Sequence, residues 1–324
     1  MSSTARVVIH ASQFPEAVRR DLLESLRTRR VNHKFHYDSV RQTQKWLALH
    51  QAFAPSRRDK DVQAIYEQAF AAAANQMAAA NITVIGLGCG GGQKDTRLLK
   101  LLAARGKRIA YVPSDVSTAM VLVARETAGA VVGDEMCFPL VCDLATATDL
   151  PVVLDKLCPA GSARLLTFFG MIPNFESDHI VPRLAGLLRA GDRLLFSANL
   201  APGADYTAGV QRVLPQYDNP LTRDWLMTFL TGLGVEPGDG EMRFAIEDQH
   251  GLKRIAAYFH FRRDRRIEVD SEKFEFRAGE SIRLFFSYRH TAALVRTLLE
   301  PHGLRVLDEW IAPSGEEGVF LVGK

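Results

Sequence analysis

The stretch ITVIGLGCGGGQKDTRLL (residues 82–99) constrains the fold of this chain most strongly. It opens with an apolar, β-branched run typical of a buried strand, continues with a glycine-rich turn, and closes with helix-forming residues. Glycine lets a ligand approach the backbone closely, and the N-terminus of the following helix attracts an anionic group. The stretch therefore predicts a strand–loop–helix unit that binds a ligand at the carboxyl end of a parallel strand.

Strand-like and helix-like segments alternate around this stretch, from about residue 80 to residue 200, as in a parallel sheet with helices on both faces. After Leu200, a mostly helical segment is followed by alternating, strand-like residues, and residues 290–324 return to a helix and two strands. We therefore predict a Rossmann-like α/β domain of residues 61–200 and 289–324. An inserted α+β substrate-binding lobe would comprise residues 1–60 and 201–288.

Composition and charge disfavour several classes of protein. Hydrophobic residues make up 47% of the 324 residues, enough for a packed core, and the net charge of +3 is too balanced for a nucleic-acid-binding surface. The four cysteines form no CxxC pair, and the first residues lack the apolar region of a signal peptide. We expect a monomeric, cytoplasmic protein without a nucleic-acid or membrane partner. His33 and His36 have HxxH spacing, but no cysteine or aspartate cluster accompanies them, so we predict no metal site.

Three kinds of ligand use glycine-rich loops of this type. A P-loop would need GxxxxGK[ST], whereas Lys94 is followed by Asp95. GLGCGG, which starts at Gly86, has the GxGxxG spacing of a dinucleotide loop, although a glycine-rich run satisfies that pattern easily. The third ligand is S-adenosylmethionine. It has no phosphate and ends in an amino acid, whose carboxylate suits Lys94 at the start of the helix.

Two aspartates favour S-adenosylmethionine. Asp115 ends the second predicted strand and Asp143 the third, so both lie at the edge of the sheet that carries the glycine-rich loop. Asp115 can accept hydrogen bonds from both ribose hydroxyls, and Asp143 from the adenine amine. Helix capping is the alternative role for both, because helix-like sequence follows each, and Ser117 is a further candidate N-cap.

The motifs of the chain together resemble those of the S-adenosylmethionine-dependent amino-acid Nα-methyltransferases typified by the histidine-specific enzyme of ergothioneine biosynthesis. The resemblance covers nearly the whole chain and depends on the order and spacing of short motifs. These motifs are KFHYDS, APSRR, GLGCGGGQKDTRLL, YVPSDVS, FFGMIPNF, LPQYDNP, FRAGESIRLFFSYRHT and SGEEGVFLVGK. The resemblance implies a methyltransferase domain, S-adenosyl-L-methionine as cofactor and a small amino-acid-like substrate.

The resemblance also implies roles for individual residues. The residues that it places around the cofactor are Gly88, Gly90, Lys94, Asp115 and Asp143. It places Asn174 and Tyr217 at the amino-acid end of the substrate, where they would hold a neutral amine in line with the methyl group. The alternative is that Asn174 is a turn residue after Pro173 and that Tyr217 is a buried core tyrosine.

The chain departs from this family in the predicted side-chain pocket. The histidine-specific enzymes carry a glutamate two residues before a serine, and both bind the imidazole; here Ser287 is kept, but the glutamate position is Phe285. Ala257 stands where the family has a methionine in the same pocket. Without the carboxylate, an imidazole would lose about 1.5 to 3 kcal/mol of binding energy. The alternation of the strand puts Phe285, Ser287 and Arg289 on one face, although FFSYR also suits a sheet core.

The sequence therefore predicts an S-adenosylmethionine-dependent N-methyltransferase that acts on the α-amine of a small amino-acid-like substrate other than histidine. A methyltransferase with an RNA or protein acceptor and a non-catalytic S-adenosylmethionine-binding protein are the alternatives. The near-neutral charge disfavours an RNA acceptor, and the complete set of predicted cofactor residues disfavours a non-catalytic protein.

Overall fold

The computed structural model describes residues 4–54 and 58–324. Residues 55–57, which belong to the APSRR motif, lie outside the described residues. The strands are β1 (Val8–Ile9), β2 (Asn81–Leu87), β3 (Arg108–Asp115), β4 (Leu140–Val141), β5 (Ala163–Phe169), β6 (Arg193–Asn199), β7 (Gly240–Gln249), β8 (Leu252–Phe261), β9 (Arg265–Val269), β10 (Glu272–Phe276), β11 (Ser281–Arg289), β12 (Arg305–Ile311) and β13 (Glu317–Gly323). The α-helices are α1 (Pro15–Thr28), α2 (Val40–Phe53), α3 (Lys60–Gln76), α4 (Gln93–Ala104), α5 (Thr118–Ala128), α6 (Leu150–Leu157), α7 (Ser177–Leu187), α8 (Tyr206–Val213), α9 (Pro220–Gly232) and α10 (Ala292–Leu299).

The chain divides into two compact units. Among the described residues, the first unit comprises 4–13, 58–200 and 290–324, and the second comprises 14–54 and 201–289. None of the helices in the described ranges is both long and apolar enough to cross a bilayer.

An eight-stranded sheet forms the centre of the first unit, in the order β1-β4-β3-β2-β5-β6-β13-β12. Its strands are parallel except at one edge, where β13 runs antiparallel to β6 and β12 antiparallel to β13. The central strands are buried along almost their whole length, which explains their continuous apolar sequence. The predicted Rossmann-like α/β fold class is confirmed.

Val8 and Ile9 belong to the sheet, so the prediction that assigned the segment around them to the inserted lobe was wrong. β1 pairs in parallel with β4, and the amide of His10 donates to the carbonyl of Val141 over 2.9 Å. A two-residue strand has no periodicity from which its pairing could be predicted, so backbone hydrogen bonds alone identify it.

Side-chain caps begin the helices that support the sheet. The carboxylate of Asp59 accepts the amides of Asp61 and Val62 at the start of α3. The hydroxyl of Ser117 accepts the amide of Met120 at the start of α5, as its sequence predicts. Gly106, with φ of 74°, follows the end of α4 and turns the chain towards β3.

The second unit is built around a three-stranded antiparallel sheet in the order β11-β8-β7. The β9–β10 hairpin lies between β8 and β11 in the sequence. Side chains of α1, α9, β8 and β11 form its main core, for example Leu226, Phe259 and Ile282. The register of β11 against β8 shifts at a bulge, where Leu284 is the extra residue between Arg283 and Phe285.

Candidate cofactor and substrate sites

The glycine-rich loop joins β2 to α4 in the first unit. Gly88 and Gly90 have φ angles of 65° and 52°, in the left-handed region that other residues rarely adopt. A Cβ atom added to Gly88 would lie 2.7 Å from the side chain of Met171, which follows β5. Any residue other than glycine at position 88 would therefore strain the backbone and displace Met171.

Asp115, at the end of β3, is tied to this loop. One carboxylate oxygen accepts the amide of Gly90 over 3.1 Å, and the other accepts the amide of Ser117 over 3.0 Å. Burial raises the pKa of Asp115 to about 6, although these backbone donors act in the opposite direction. Ser117 is the N-cap of α5, so Asp115 does not have the capping role that was the alternative.

Asp143 follows β4, the neighbour of β3, and is buried. Its carboxylate accepts the amide of Ala145, and α6 begins only at Leu150, so Asp143 is not the N-cap of that helix. The amide of Asp143 donates to the hydroxyl of Ser12 over 2.9 Å. Gln13 donates to the carbonyl of Val116 over 2.7 Å, so the N-terminal segment lies at the carboxyl ends of β3 and β4. Sequence reasoning missed Ser12 and Gln13.

Lys94 lies in the first turn of α4, where three elements of the first unit meet. Its ammonium donates to the hydroxyl of Tyr66 over 2.7 Å and lies 3.8 Å from the carboxylate of Glu317. The ammonium also lies 4.4 Å from the ring centre of Tyr66 and 5.7 Å from that of Phe169. Lys94 therefore has a defined position beside the glycine-rich loop.

Asp95, in the first turn of α4, links the start of this helix to β3 and β5, and sequence reasoning missed it. It is buried, and its two carboxylate oxygens accept hydrogen bonds from Tyr111 and Thr167, each over 2.7 Å. Burial raises its pKa. An acidic residue in the first turn of a helix is ordinarily exposed and stabilises the helix dipole, so its sequence position gives no sign of this buried role.

The donors and acceptors of the first unit fit S-adenosylmethionine. The glycine-rich loop leaves its backbone open to close approach, Lys94 supplies a cation, and Asp115 supplies a carboxylate acceptor at the next strand. Asn174, half-buried, ends a short 3₁₀ turn directly after β5, the strand on the other side of β2. The predicted cofactor residues and Asn174 thus occupy the carboxyl ends of adjacent strands in the first unit.

A chain of hydrogen bonds joins Ser287, Tyr217 and Arg289 in the second unit. The hydroxyl of Tyr217 donates to the hydroxyl of Ser287 over 2.9 Å and accepts a hydrogen bond from the guanidinium of Arg289 over 2.9 Å. Ser287 and Arg289 are both buried, on the same face of β11 as Phe285. The predicted one-faced arrangement of these residues is confirmed.

Phe285 lies among aromatic rings of the second unit. Its ring centre is 5.7 Å from Trp225, 5.8 Å from His33 and 6.3 Å from Tyr217. Ala257 pairs with Phe285 across β8 and β11 and is fully buried. His33 and Trp225 belong to this group of aromatic rings but were not predicted as site residues, because both are distant from Phe285 in sequence.

The two histidines of the HxxH motif have separate contacts. His36 donates from Nε2 to the carbonyl of Leu284, the bulge residue, over 2.5 Å, and burial lowers its pKa to about 4. His33 Nε2 lies 3.0 Å from the hydroxyl of Tyr37, and burial lowers its pKa to about 3. In the described part of the chain, no group of three or more histidine, cysteine or acidic side chains is placed to hold a metal ion.

Comparison with known proteins supports the sequence interpretation. The sequence profile of a family described as histidine-specific, S-adenosylmethionine-dependent methyltransferases matches residues 18–324. The N-methyltransferase imqF of Aspergillus flavus is 23% identical over 242 residues, which cover 72% of this chain. The match spans 66%, just under two thirds, of that fungal protein.

Several solved structures have a related chain course. An S-adenosylmethionine-dependent methyltransferase from Clostridium acetobutylicum is 12% identical, with a TM-score of 0.46 over 86% of this chain and 98% of that one. The CcbJ methyltransferase from Streptomyces caelestis is 14% identical, with a TM-score of 0.38 over 80% of this chain and 93% of that one. At these scores neither likeness bears on function.

Proposed function

The chain belongs to the family of histidine-specific, S-adenosylmethionine-dependent methyltransferases, and we propose that this member methylates the α-amine of a small amino-acid-like substrate other than histidine. It is a methyltransferase that uses S-adenosylmethionine. The proposal concerns its acceptor and the residues that bind the two ligands.

Each residue proposed to bind the cofactor lies at the carboxyl end of a strand or in the segment that follows it. S-adenosylmethionine, when bound, supplies an electrophilic methyl group. Gly88 and Gly90 would leave room for it, and Lys94 would attract its carboxylate. Asp115 would accept the ribose hydroxyls, and Asp143 would accept the adenine amine. The left-handed glycines and the Gly90–Asp115 hydrogen bond support these assignments.

The hydrogen bonds of Tyr217 support an amine acceptor. Its hydroxyl has one proton and two lone pairs; the proton goes to Ser287, and one lone pair accepts from Arg289. The remaining lone pair would accept an N–H of the substrate. A guanidinium close by disfavours a second cation, so Arg289 would favour the neutral, nucleophilic form of that amine. The resemblance implies a substrate role for Asn174 as well, and alignment of the amine would supply most of the catalysis.

The surroundings of Phe285 carry the proposal that histidine is not the substrate. In the histidine-specific enzymes that the chain resembles, this position is a glutamate that binds the imidazole. Here it is an aromatic ring in contact with Trp225 and His33, opposite the small side chain of Ala257. Such a wall favours an apolar or aromatic side chain, which gains from ring contacts of about 0.5 to 1.5 kcal/mol.

A panel of acceptors tests the proposal. Incubation with methyl-labelled cofactor should transfer label to phenylalanine, tyrosine or tryptophan in preference to histidine, and mass spectrometry should place the methyl group on the α-nitrogen. The same amino acids already blocked at the α-amine serve as matched controls and should take no label. Preferential labelling of histidine, or label on the blocked compounds, would show that the proposal is wrong.

A further inference from the structure

Three residues that are far apart in sequence meet beside the glycine-rich loop of the first unit. Tyr66 comes from α3, Lys94 from α4, and Glu317 is the first residue of β13. The hydroxyl of Tyr66 accepts from the Lys94 ammonium over 2.7 Å and donates to the Glu317 carboxylate over 2.5 Å. Tyr66 thus links a cation to an anion that lie 3.8 Å apart.

Burial fixes the direction of this chain of hydrogen bonds. Tyr66 is fully buried, and burial together with the Glu317 carboxylate raises its pKa well above its usual value, so it stays a neutral phenol. The proton on its oxygen points to Glu317, and a lone pair points to Lys94. The Tyr66 hydroxyl is also bonded to Ser197, whose hydroxyl accepts the amide of Gly170. The chain therefore extends to the turn after β5.

A flexible lysine binds an anion weakly unless its ammonium is held in place. Its side chain loses rotamer freedom on binding, at a cost of up to about 2 kcal/mol. Here the Lys94 side chain is only 20% exposed and already has two polar partners and the face of the Tyr66 ring. The order that binding would otherwise impose is present in the protein itself.

We propose that Tyr66 and Glu317 are positioning residues of the cofactor site, which hold the Lys94 ammonium where it meets the carboxylate of S-adenosylmethionine. The inference extends the role of Lys94 in the proposed function. A cation and an anion side by side also complement the zwitterionic amino-acid end of this cofactor, whereas a lone cation would attract any anion. Tyr66 and Glu317 would therefore act on one part of the cofactor only.

Calorimetry with two nucleosides tests this. S-adenosylhomocysteine carries the amino-acid end, and 5′-methylthioadenosine lacks it but keeps the adenosine and the sulfur. Tyr66→Phe and Glu317→Gln should each weaken the binding of S-adenosylhomocysteine about tenfold, the loss of one charge-assisted hydrogen bond, and leave that of 5′-methylthioadenosine unchanged. The matched control is Tyr258→Phe, which removes a similar tyrosine–glutamate bond, to Glu247 in the second unit, and should change neither affinity.

A double-mutant cycle then relates the effect to Lys94. In a Lys94→Met background, Tyr66→Phe should cause no further loss of S-adenosylhomocysteine binding, because the ammonium that it positions is gone. Equal weakening of both nucleosides would show a merely structural role, and undiminished S-adenosylhomocysteine binding in both single variants would also overturn the inference. Thermal melting, measured in parallel, shows whether α3 stays folded in Tyr66→Phe, and Glu317→Gln gives an independent answer. Calorimetry needs no acceptor, so failure of the acceptor panel leaves this test standing.

Discussion

Phe285 lies directly opposite Ala257 across β8 and β11, so that a large aromatic side chain faces the smallest one that has a Cβ. Ala257 also pairs with Phe244 on its other side. The small side chain of Ala257 leaves room for the ring of Phe285 to contact Trp225 and His33. In the proposed function, this pair decides which side chains the substrate can carry.

Replacing Phe285 by glutamate should shift the acceptor preference towards histidine. The variant supplies the carboxylate that an imidazole needs, worth about 1.5 to 3 kcal/mol, or about tenfold to a hundredfold in the ratio of kcat/KM values for histidine and an aromatic amino acid. Competition assays with both substrates measure that ratio directly.

Phe286→Glu is the matched control for this change. Phe286 is the next residue along β11 and pairs with Ala256 on the opposite face of the sheet. Its replacement should leave the substrate ratio unaltered. An equal shift in both variants would mean that the sheet face does not determine specificity.

Removing the hydroxyl of Tyr217 should impair methyl transfer without weakening the binding of the cofactor. Tyr217→Phe leaves Ser287 and Arg289 without their shared partner and removes the acceptor assigned to the amine. We expect kcat/KM for the acceptor to fall about tenfold to a hundredfold, with S-adenosylhomocysteine affinity unchanged. Tyr206→Phe, whose hydroxyl bonds to the backbone of Arg289 and Lys253 in the same unit, should keep kcat/KM near that of the wild type.

The binding of S-adenosylhomocysteine should weaken as the pH falls below the pKa of Asp115, about 6. The ribose hydroxyls need an ionised carboxylate, so a proton must first leave, and affinity should fall about tenfold between pH 5 and pH 4. Calorimetry in two buffers of different ionisation enthalpy measures the proton release. Asp115→Asn should bind weakly at every pH; a wild-type affinity that stays constant down to pH 4 would contradict the assignment.

The stability of the free protein should respond to the same group with the opposite sign. The pKa of Asp115 is higher in the folded protein than its ordinary value of 3.8, so the folded state binds more protons in the interval between 3.8 and about 6. Asp115 therefore favours folding more as the pH falls through this interval. The difference in unfolding free energy between wild type and Asp115→Asn, followed over this interval, should move in favour of the wild type at lower pH.

Gly88→Ala should abolish most cofactor binding, and Gly161→Ala separates the two causes. Both glycines have positive φ angles, 65° and 74°, so each alanine should cost about 1 to 2 kcal/mol of stability. At Gly88 the new Cβ meets the side chain of Met171, whereas at Gly161 no atom of the described residues, apart from the chain neighbours, lies within 4 Å. Denaturation should therefore show a loss in both variants, and calorimetry a loss of S-adenosylhomocysteine affinity in Gly88→Ala alone. Similar affinities in the two variants would argue against a ligand at the loop.

The parts of the fold with strong local patterns were predictable from sequence. β2, β3, β5 and β6 contain short apolar runs that are typical of buried parallel strands, and the helices between them have caps such as Ser117. The edge strand β1 was not predictable, because two residues carry no period and the pairing with β4 is held by backbone atoms.

The candidate site divides in the same way. The glycines and Lys94 lie in the loop and the first helical turn after β2, and Asp115 ends β3, so strand prediction and the chemistry of the ligand suffice to predict them. The neighbours of Phe285 come from residues as distant as His33 and Trp225, and no local pattern connects them. Glu317 is similar, since its partners Tyr66 and Lys94 are known only once the sheet order has brought β13 next to β6.

The bulge at Leu284 also affects how relatives of this enzyme are aligned. Ile282 and Phe285 point to the same side of the sheet although they are three residues apart, because Leu284 takes no partner on β8. A homologue that lacks the extra residue would keep both registers, with its gap at this one position. An alignment that places the gap after Phe285 would compare Phe285 with a residue of the opposite face. Surveys of acceptor preference across genomes should therefore anchor β11 at Ser287, on the carboxyl side of the bulge, before reading the residue two positions earlier.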